Sequence, residues 1–161
     1  MKSVLNNENT LIIKNSRFIC LTYQINDISQ VKTNLEEVKT KYPNATHYCY
    51  AYILDNISHE SDDGEPSGTA GIPILQVLEK NDLNHVLCIV VRYFGKIKLG
   101  AGGLVRAYTK SVVECIKDKI IFLKKGYEVK ISYTLYIDLE LYELLKNTNY
   151  IELIIYKEIY F

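Results

Sequence analysis

The residues whose types and spacing could do chemistry lie in two stretches, Ser61–Gly68 (SDDGEPSG) and Arg92–Ser111 (RYFGKIKLGAGGLVRAYTKS). The second holds Gly95, Gly100, Gly102 and Gly103 within nine residues, with Arg92, Lys96, Lys98 and Arg106 around them. Glycine is used where the backbone needs φ > 0 or another group comes very close. Four in so short a span exceed the need of one turn. An apolar run, Val86–Val91, leads in and a long amphipathic pattern leads out, so the stretch reads as strand, glycine turn, helix. A helix start offers unpaired N–H groups and partial positive charge. Cations gathered there do not serve the helix; they suit an anion. The expected anion or RNA contacts are therefore Arg92, Lys98, Gly100, Gly102, Gly103 and Arg106. The alternative stays open: glycines that only allow tight packing, and cations that pair with carboxylates elsewhere.

The acidic loop supplies those carboxylates. Asp62, Asp63 and Glu65, with Ser67, form a second candidate group, expected to lie beside the glycine turn. Their spacing, with His59 nearby, does not match a calcium loop, and no metal site is expected. No Ser/His/Asp or Cys/His set stands out, so no catalytic residue and no cofactor are assigned. His47, at the start of a strand, reads as a structural hydrogen-bonding residue.

The elements that must position these groups fit a chain of 161 residues with 48% hydrophobic side chains, enough for one ordinary core. Nineteen basic and nineteen acidic side chains give zero net charge, which excludes a whole-protein electrostatic grip on nucleic acid but not a local patch. Cys20, Cys49, Cys88 and Cys115 form no CxxC unit and each sits in an apolar run, which argues against disulfides and structural zinc. No apolar run reaches the length of a membrane span and the N-terminus has no signal-like core, so a reduced, cytoplasmic setting is expected.

Leu11–Ile13 and Phe18–Tyr23 read as a hairpin. Asp27 and Gln30 match a capping box before a helix over Ile28–Tyr42, stopped by Pro43. Thr46–Leu54 alternates as a strand, with Tyr48, Tyr50 and Tyr52 on one face and Cys49, Ala51 and Ile53 on the other. Asp55–Gly68 reads as a loop. Thr69 is positioned to cap a second helix with Pro73 in its first turn. The helix after the glycines, Gly102–Lys119, carries Leu104, Tyr108, Val112, Cys115 and Ile116 along one stripe. Beyond Gly126, strands at Tyr127–Ile137 and Tyr150–Tyr156 flank a helix at Leu139–Lys146. This short βαβ-like appendage is expected to be the less stable part. The division is 1–125 and 126–161, and the fold class is α+β.

Two segments, Ser61–Leu78 and Val90–Ser111, together with Ala45-Thr46-His47 and Cys49, resemble the UPF0029 family. Its members are the YigZ-like proteins of bacteria and the Impact proteins of eukaryotes. The resemblance covers about residues 11–124. It implies a sandwich like domain 2 of ribosomal protein S5, one sheet against helices, followed in bacterial relatives by a ferredoxin-like domain. Residues 126–161 are similar to about half of that domain. Lys96 stands where the family has a second glycine, and Val91 where it has Thr. The eukaryotic relatives act in translational control. The resemblance thus implies a non-enzymatic binding or regulatory protein, with RNA, the ribosome or a translation-regulating protein as partner and no membrane. The alternative is an enzyme that holds a phosphorylated small molecule at the glycine-rich helix start. The sequence shows no aromatic-plus-basic stacking motif of the kind that binds single strands.

Overall fold

A computed structural model describes residues 1–55 and 57–123 of the protein. In chain order the elements are β1 (Lys2–Val4), β2 (Asn7–Ile13), β3 (Ser16–Gln24), α1 (Ser29–Lys41), β4 (His47–Leu54), β5 (Ile57–Ser61), α2 (Gly71–Lys80), β6 (Val86–Tyr93), α3 (Ala101–Ile116) and β7 (Ile120–Phe122). The nearly continuous apolar run of β6 makes it the central strand, buried on both faces from Val86 to Arg92. The main sheet has the order β2-β3-β6-β4-β5, with every neighbour antiparallel. β3 and β4 therefore run in the same direction on either side of β6, and α1 crosses between them. β5 and β6 flank β4 in the same way, joined through α2.

The period of two along each strand sorts the core into two layers. Phe18, Cys20, Cys49, Ala51, Cys88 and Val90 face α2 and α3. Ile19, Leu21, Leu87, Ile89 and Val91 face α1 through Val31 and Val38. The protein is thus α+β, a sheet packed against helices. The expected α3 stripe, Leu104, Tyr108, Val112, Cys115 and Ile116, is buried as a unit. The four cysteines are free and buried.

The hairpin of β2 and β3 forms as expected, with Leu11 opposite Phe18. Helix α1 forms one residue inside its expected bounds at each end. The Asp27 carboxylate accepts the Ser29 N–H at 2.7 Å, and the Gln30 side chain accepts the Asp27 N–H at 3.0 Å. That is the reciprocal capping its sequence implied.

Three expectations are corrected. The stretch read as a loop contains β5, which pairs with β4 from Tyr50–Ser61 to Leu54–Ile57. β5 lies at a sheet edge with Ile57, Ser58 and His59 exposed, so it lacks the alternating apolar pattern of a half-buried strand. Second, Thr69 does not cap α2; its hydroxyl donates to the Pro66 carbonyl at 2.6 Å. The α2 start is capped by Asp62, whose carboxylate accepts the N–H groups of Gly68, Ala70 and Gly71 at 2.7, 2.9 and 2.8 Å. This cap comes from eight and nine residues upstream of the groups it satisfies, beyond the reach of local spacing rules. Third, β1 and β7 were not expected; they form a separate two-stranded sheet, Lys2 opposite Phe122. The elements expected after Gly126, and the division at 125/126, lie outside the described residues.

Partial burial pushes the Asp62 carboxyl up, but the backbone N–H groups of Gly71, Gly68 and Ala70 outweigh it and hold the group below its ordinary range. A depressed folded-state pKa contributes stability above the unfolded value and loses it as pH falls through the folded value. Asp62→Ala is therefore expected to lower unfolding free energy by about 1–2 kcal/mol at neutral pH. In urea titrations the gap to the parent protein should close below about pH 4.

Candidate functional site

Strand register builds the site. At one end of the sheet Phe18 on β3, Arg92 on β6 and His47 on β4 lie side by side in one row. Above that row pass α3 and the loop after β5. Arg92 is 5% exposed and Glu65, from the loop, 7%. Arg92 Nη1 lies 2.5 Å from Glu65 Oε1, and the Tyr108 hydroxyl of α3 donates to the same oxygen at 2.8 Å. The guanidinium carbon of Arg92 sits 5.5 Å from the ring centres of both Phe18 and Phe94. A planar, weakly hydrated cation suits such a place. Its Nε is buried without a partner among the described residues.

His47 and Cys49 complete the cluster. His47 Nδ1 is 2.8 Å from the Asp63 carbonyl oxygen. A carbonyl only accepts, so Nδ1 carries the proton and Nε2 faces Glu65 Oε2 at 3.8 Å. The Tyr48 N–H donates to Asp63 Oδ2 at 2.6 Å, which ties the loop to β4. The Cys49 thiol lies 2.9 Å from the Asp62 carbonyl oxygen and 3.3 Å from the Tyr108 hydroxyl. Burial pushes this thiol up to about 12, against a smaller opposing effect of Tyr108. Burial, then the neighbouring Cys49 and Glu65, push the Tyr108 hydroxyl far above its ordinary range. Tyr108 thus serves as a hydrogen-bond donor to Glu65, and Cys49 packs as a buried thiol. The geometry makes this cluster a clamp between the sheet, the acidic loop and α3.

The structure separates the residues that the sequence grouped. Glu65 does meet a cation of the glycine stretch, Arg92. Asp62 and Asp63 do not: one caps α2 and the other holds the start of β4. Arg92, expected among the surface anion contacts, is buried and committed to Glu65. Ser67 is exposed, as are Lys96, Lys98 and Arg106, and among the described residues none of these three cations lies in an ion pair with a carboxylate. Gly95 serves packing, because a Cβ there would overlap the Asn15 carbonyl in the β2–β3 turn. Gly100 has φ +71° and precedes α3 as its N-cap, a conformation that excludes most side chains. Gly102 is exposed, whereas a Cβ on Gly103 would come within 3.0 Å of Leu99 Cβ. Among the described residues no side chain caps α3; no acid lies in its first turn, and its ladder begins with the Leu104 N–H donating to the Gly100 carbonyl at 2.9 Å.

Two members of the clamp were missed by sequence reading. Tyr108 was read only as part of an apolar stripe. Its signal was the hydroxyl itself, which needs a partner when a tyrosine is fully buried. Cys49 entered the sequence reading only as part of the family resemblance and as a small apolar side chain, not as a partner of Tyr108. The acids weighed for a metal, with His59, are dispersed to different tasks. Among the described residues no three His, Cys, Asp or Glu side chains are grouped to hold an ion. No described helix is long and apolar enough to cross a membrane.

Residues 14–116 match the Impact N-terminal domain. The chain belongs to the Impact family. It is 48% identical over 110 residues to the IMPACT family member YvyE of Bacillus subtilis (strain 168), covering 66% of this chain and 51% of that protein. To the IMPACT family member YigZ of Escherichia coli (strain K12) it is 38% identical over 110 residues, covering 65% and 54%. A solved structure, described as the crystal structure of a hypothetical protein, superposes with a TM-score of 0.69 at 33% identity, over 73% of this chain and 60% of that one. The chain spans about half the length of the curated Impact relatives it matches. The matched Impact domain contains the whole clamp, from Phe18 through His47, Glu65 and Arg92 to Tyr108.

Tyr108→Phe keeps the ring but removes the hydroxyl, and with it the hydrogen bond to Glu65 and the contact with the Cys49 thiol, leaving Glu65 short of a donor. Unfolding free energy should fall by about 1–3 kcal/mol in chemical denaturation.

Proposed function

We propose that this Impact-family chain is a non-enzymatic binding module of the cytoplasm that acts in translation or its regulation, and that it holds RNA phosphate at the start of α3. The observation that carries the reading is the state of that helix end. Among the described residues no side chain caps its first-turn N–H groups and no acid lies in that turn, while Lys98 and Arg106 stand exposed. Arg106 is the sixth residue of α3, and its guanidinium reaches back to within 3.6 Å of the place a Cβ on Gly102 would take, so it adds positive charge to a helix end that already favours an anion. Phe94 and Ile97, each 45% exposed, border the same turn and supply apolar contact for a partner surface. The contacts to the anion are then Lys98, Gly100, Gly102, Gly103 and Arg106, with Arg92 and Glu65 fixing the turn from below. The link to translation rests on the translational role of the eukaryotic relatives, and the partner set extends from RNA to a ribosomal component or a translation-regulating protein.

The same uncapped N–H groups favour one second reading, an enzyme acting on a phosphorylated small molecule. One variant addresses both. Arg106→Glu should leave the melting temperature nearly unchanged, because Arg106 is exposed and outside the clamp. Binding to a short RNA, measured by fluorescence anisotropy, should weaken about tenfold, with the salt slope reduced by about one. Affinity for RNA equal to the parent's would contradict the proposal. Loss of turnover on a phosphorylated substrate, with RNA affinity unaltered, would select the second reading.

A further inference from the structure

The face of the sheet away from α3 carries a feature that the sequence disclosed only in part, as the row of Tyr48, Tyr50 and Tyr52 on one face of β4. Between α1 and the β4–β5 edge lies a cavity of about 500 Å³. Its floor is Tyr50, Tyr52 and His59; its wall is Lys32, Leu35 and Lys39 of α1. Pairing of β5 with β4 puts His59 directly opposite Tyr52. The His59 ring centre is 5.7 Å from that of Tyr52 and 6.0 Å from that of Tyr50, with interplanar angles of 39° and 44°. Tyr50 and Tyr52 are half-buried and His59 is exposed, so α1 leaves these rings open to solvent on one side. Their hydroxyls make no hydrogen bond with described residues, which leaves them without the anchoring that a core tyrosine requires.

Of the charged side chains that line the groove two are lysines, Lys32 and Lys39, and one is a carboxylate, Glu36, with Asp63 and Glu60 also near Tyr50. Glu36, the carboxylate of the lining, lies 4.0 Å from Lys32 on the same helix. Lys39 has no carboxylate within ion-pair distance among the described residues and sits 5.6 Å over the Tyr48 ring. Lys32 and Lys39 are seven residues apart, so about 10 Å separates them along the helix axis. Both lysines line the groove. A row of rings on an open sheet face, flanked by lysines, is the chemistry that stacks bases and holds the connecting phosphates.

We propose that this groove is a binding site for single-stranded nucleic acid, with bases stacking on Tyr50, Tyr52 and His59 and phosphates held by Lys32 and Lys39. It shares a ligand class with the reading at α3 but none of its residues, and it lies on the opposite face of the sheet. The two therefore fail separately. The sequence offered no such motif because the third ring arrives through cross-strand register, from a segment that reads as a loop.

The test uses the full chain and a short fluorescein-labelled oligouridine, followed by anisotropy. Tyr52→Ala should weaken binding about tenfold, while Tyr52→Phe, which keeps the ring, should bind as the parent does. His59→Ala, at an exposed position that does not threaten the fold, should weaken binding in the same sense, and Lys39→Glu should weaken it with a flatter salt dependence. A base-paired duplex of the same length should bind less well than the single strand. Parent-like affinity in both Tyr52→Ala and His59→Ala would overturn the proposal, even if Arg106→Glu lowers affinity. Self-association in sedimentation that Tyr52→Ala abolishes, without any change in oligouridine affinity, would also overturn it and assign the groove to a second copy of the chain.

Discussion

The ion pair of Arg92 and Glu65 is the constraint around which this end of the sheet is arranged. Both side chains are withdrawn from water, at 6% and 3% exposure. Either alone would be an uncompensated buried charge, so each requires the other in place. Arg92 is delivered by the central strand and Glu65 by the loop after β5. Tyr108 of α3 shares the Glu65 oxygen, and Phe18 and Phe94 cover the guanidinium. Sheet, loop and helix thus reach their mutual positions together. The first turn of α3 is set, two turns from Tyr108, by the same contacts.

This arrangement divides labour among residues that look alike in sequence. Asp62, Asp63 and Glu65 are adjacent carboxylates, yet one caps a helix, one anchors a strand and one neutralises a buried arginine. Among the basic residues, Arg92 is turned inward while Lys98 and Arg106 remain at the surface. The glycines divide likewise: Gly95 admits the β2–β3 turn and Gly100 supplies a backbone conformation. The inward members pack the glycine turn against the sheet, and its outward members stay at the surface.

Where a segment's own pattern decided its structure, the sequence was readable. β6, α1 and the buried stripe of α3 follow from apolar periodicity, and the Asp27–Gln30 cap from local spacing. The two faces of β4 were also legible, because its alternation is uninterrupted. The losses share one cause, dependence on distant partners. β5 is mostly exposed and exists because β4 offers it a hydrogen-bonding edge. β1 and β7 are short strands that need each other across nearly the whole described chain. The role of Asp62 was not legible because its partners are backbone N–H groups brought near by the turn after β5. The closeness of the acidic loop to the glycine turn was legible from charge, but which carboxylate met which cation was not.

The most direct measurement of the central claim is a double-mutant cycle on Arg92 and Glu65, read by chemical denaturation of Arg92→Met, Glu65→Leu and the pair together. Each single variant strands a buried charge and should lose about 3–5 kcal/mol, while the double variant should be more stable than either single one. Strictly additive losses, or an Arg92→Met protein as stable as the parent, would show that the pair does not hold the sheet, the acidic loop and α3 together.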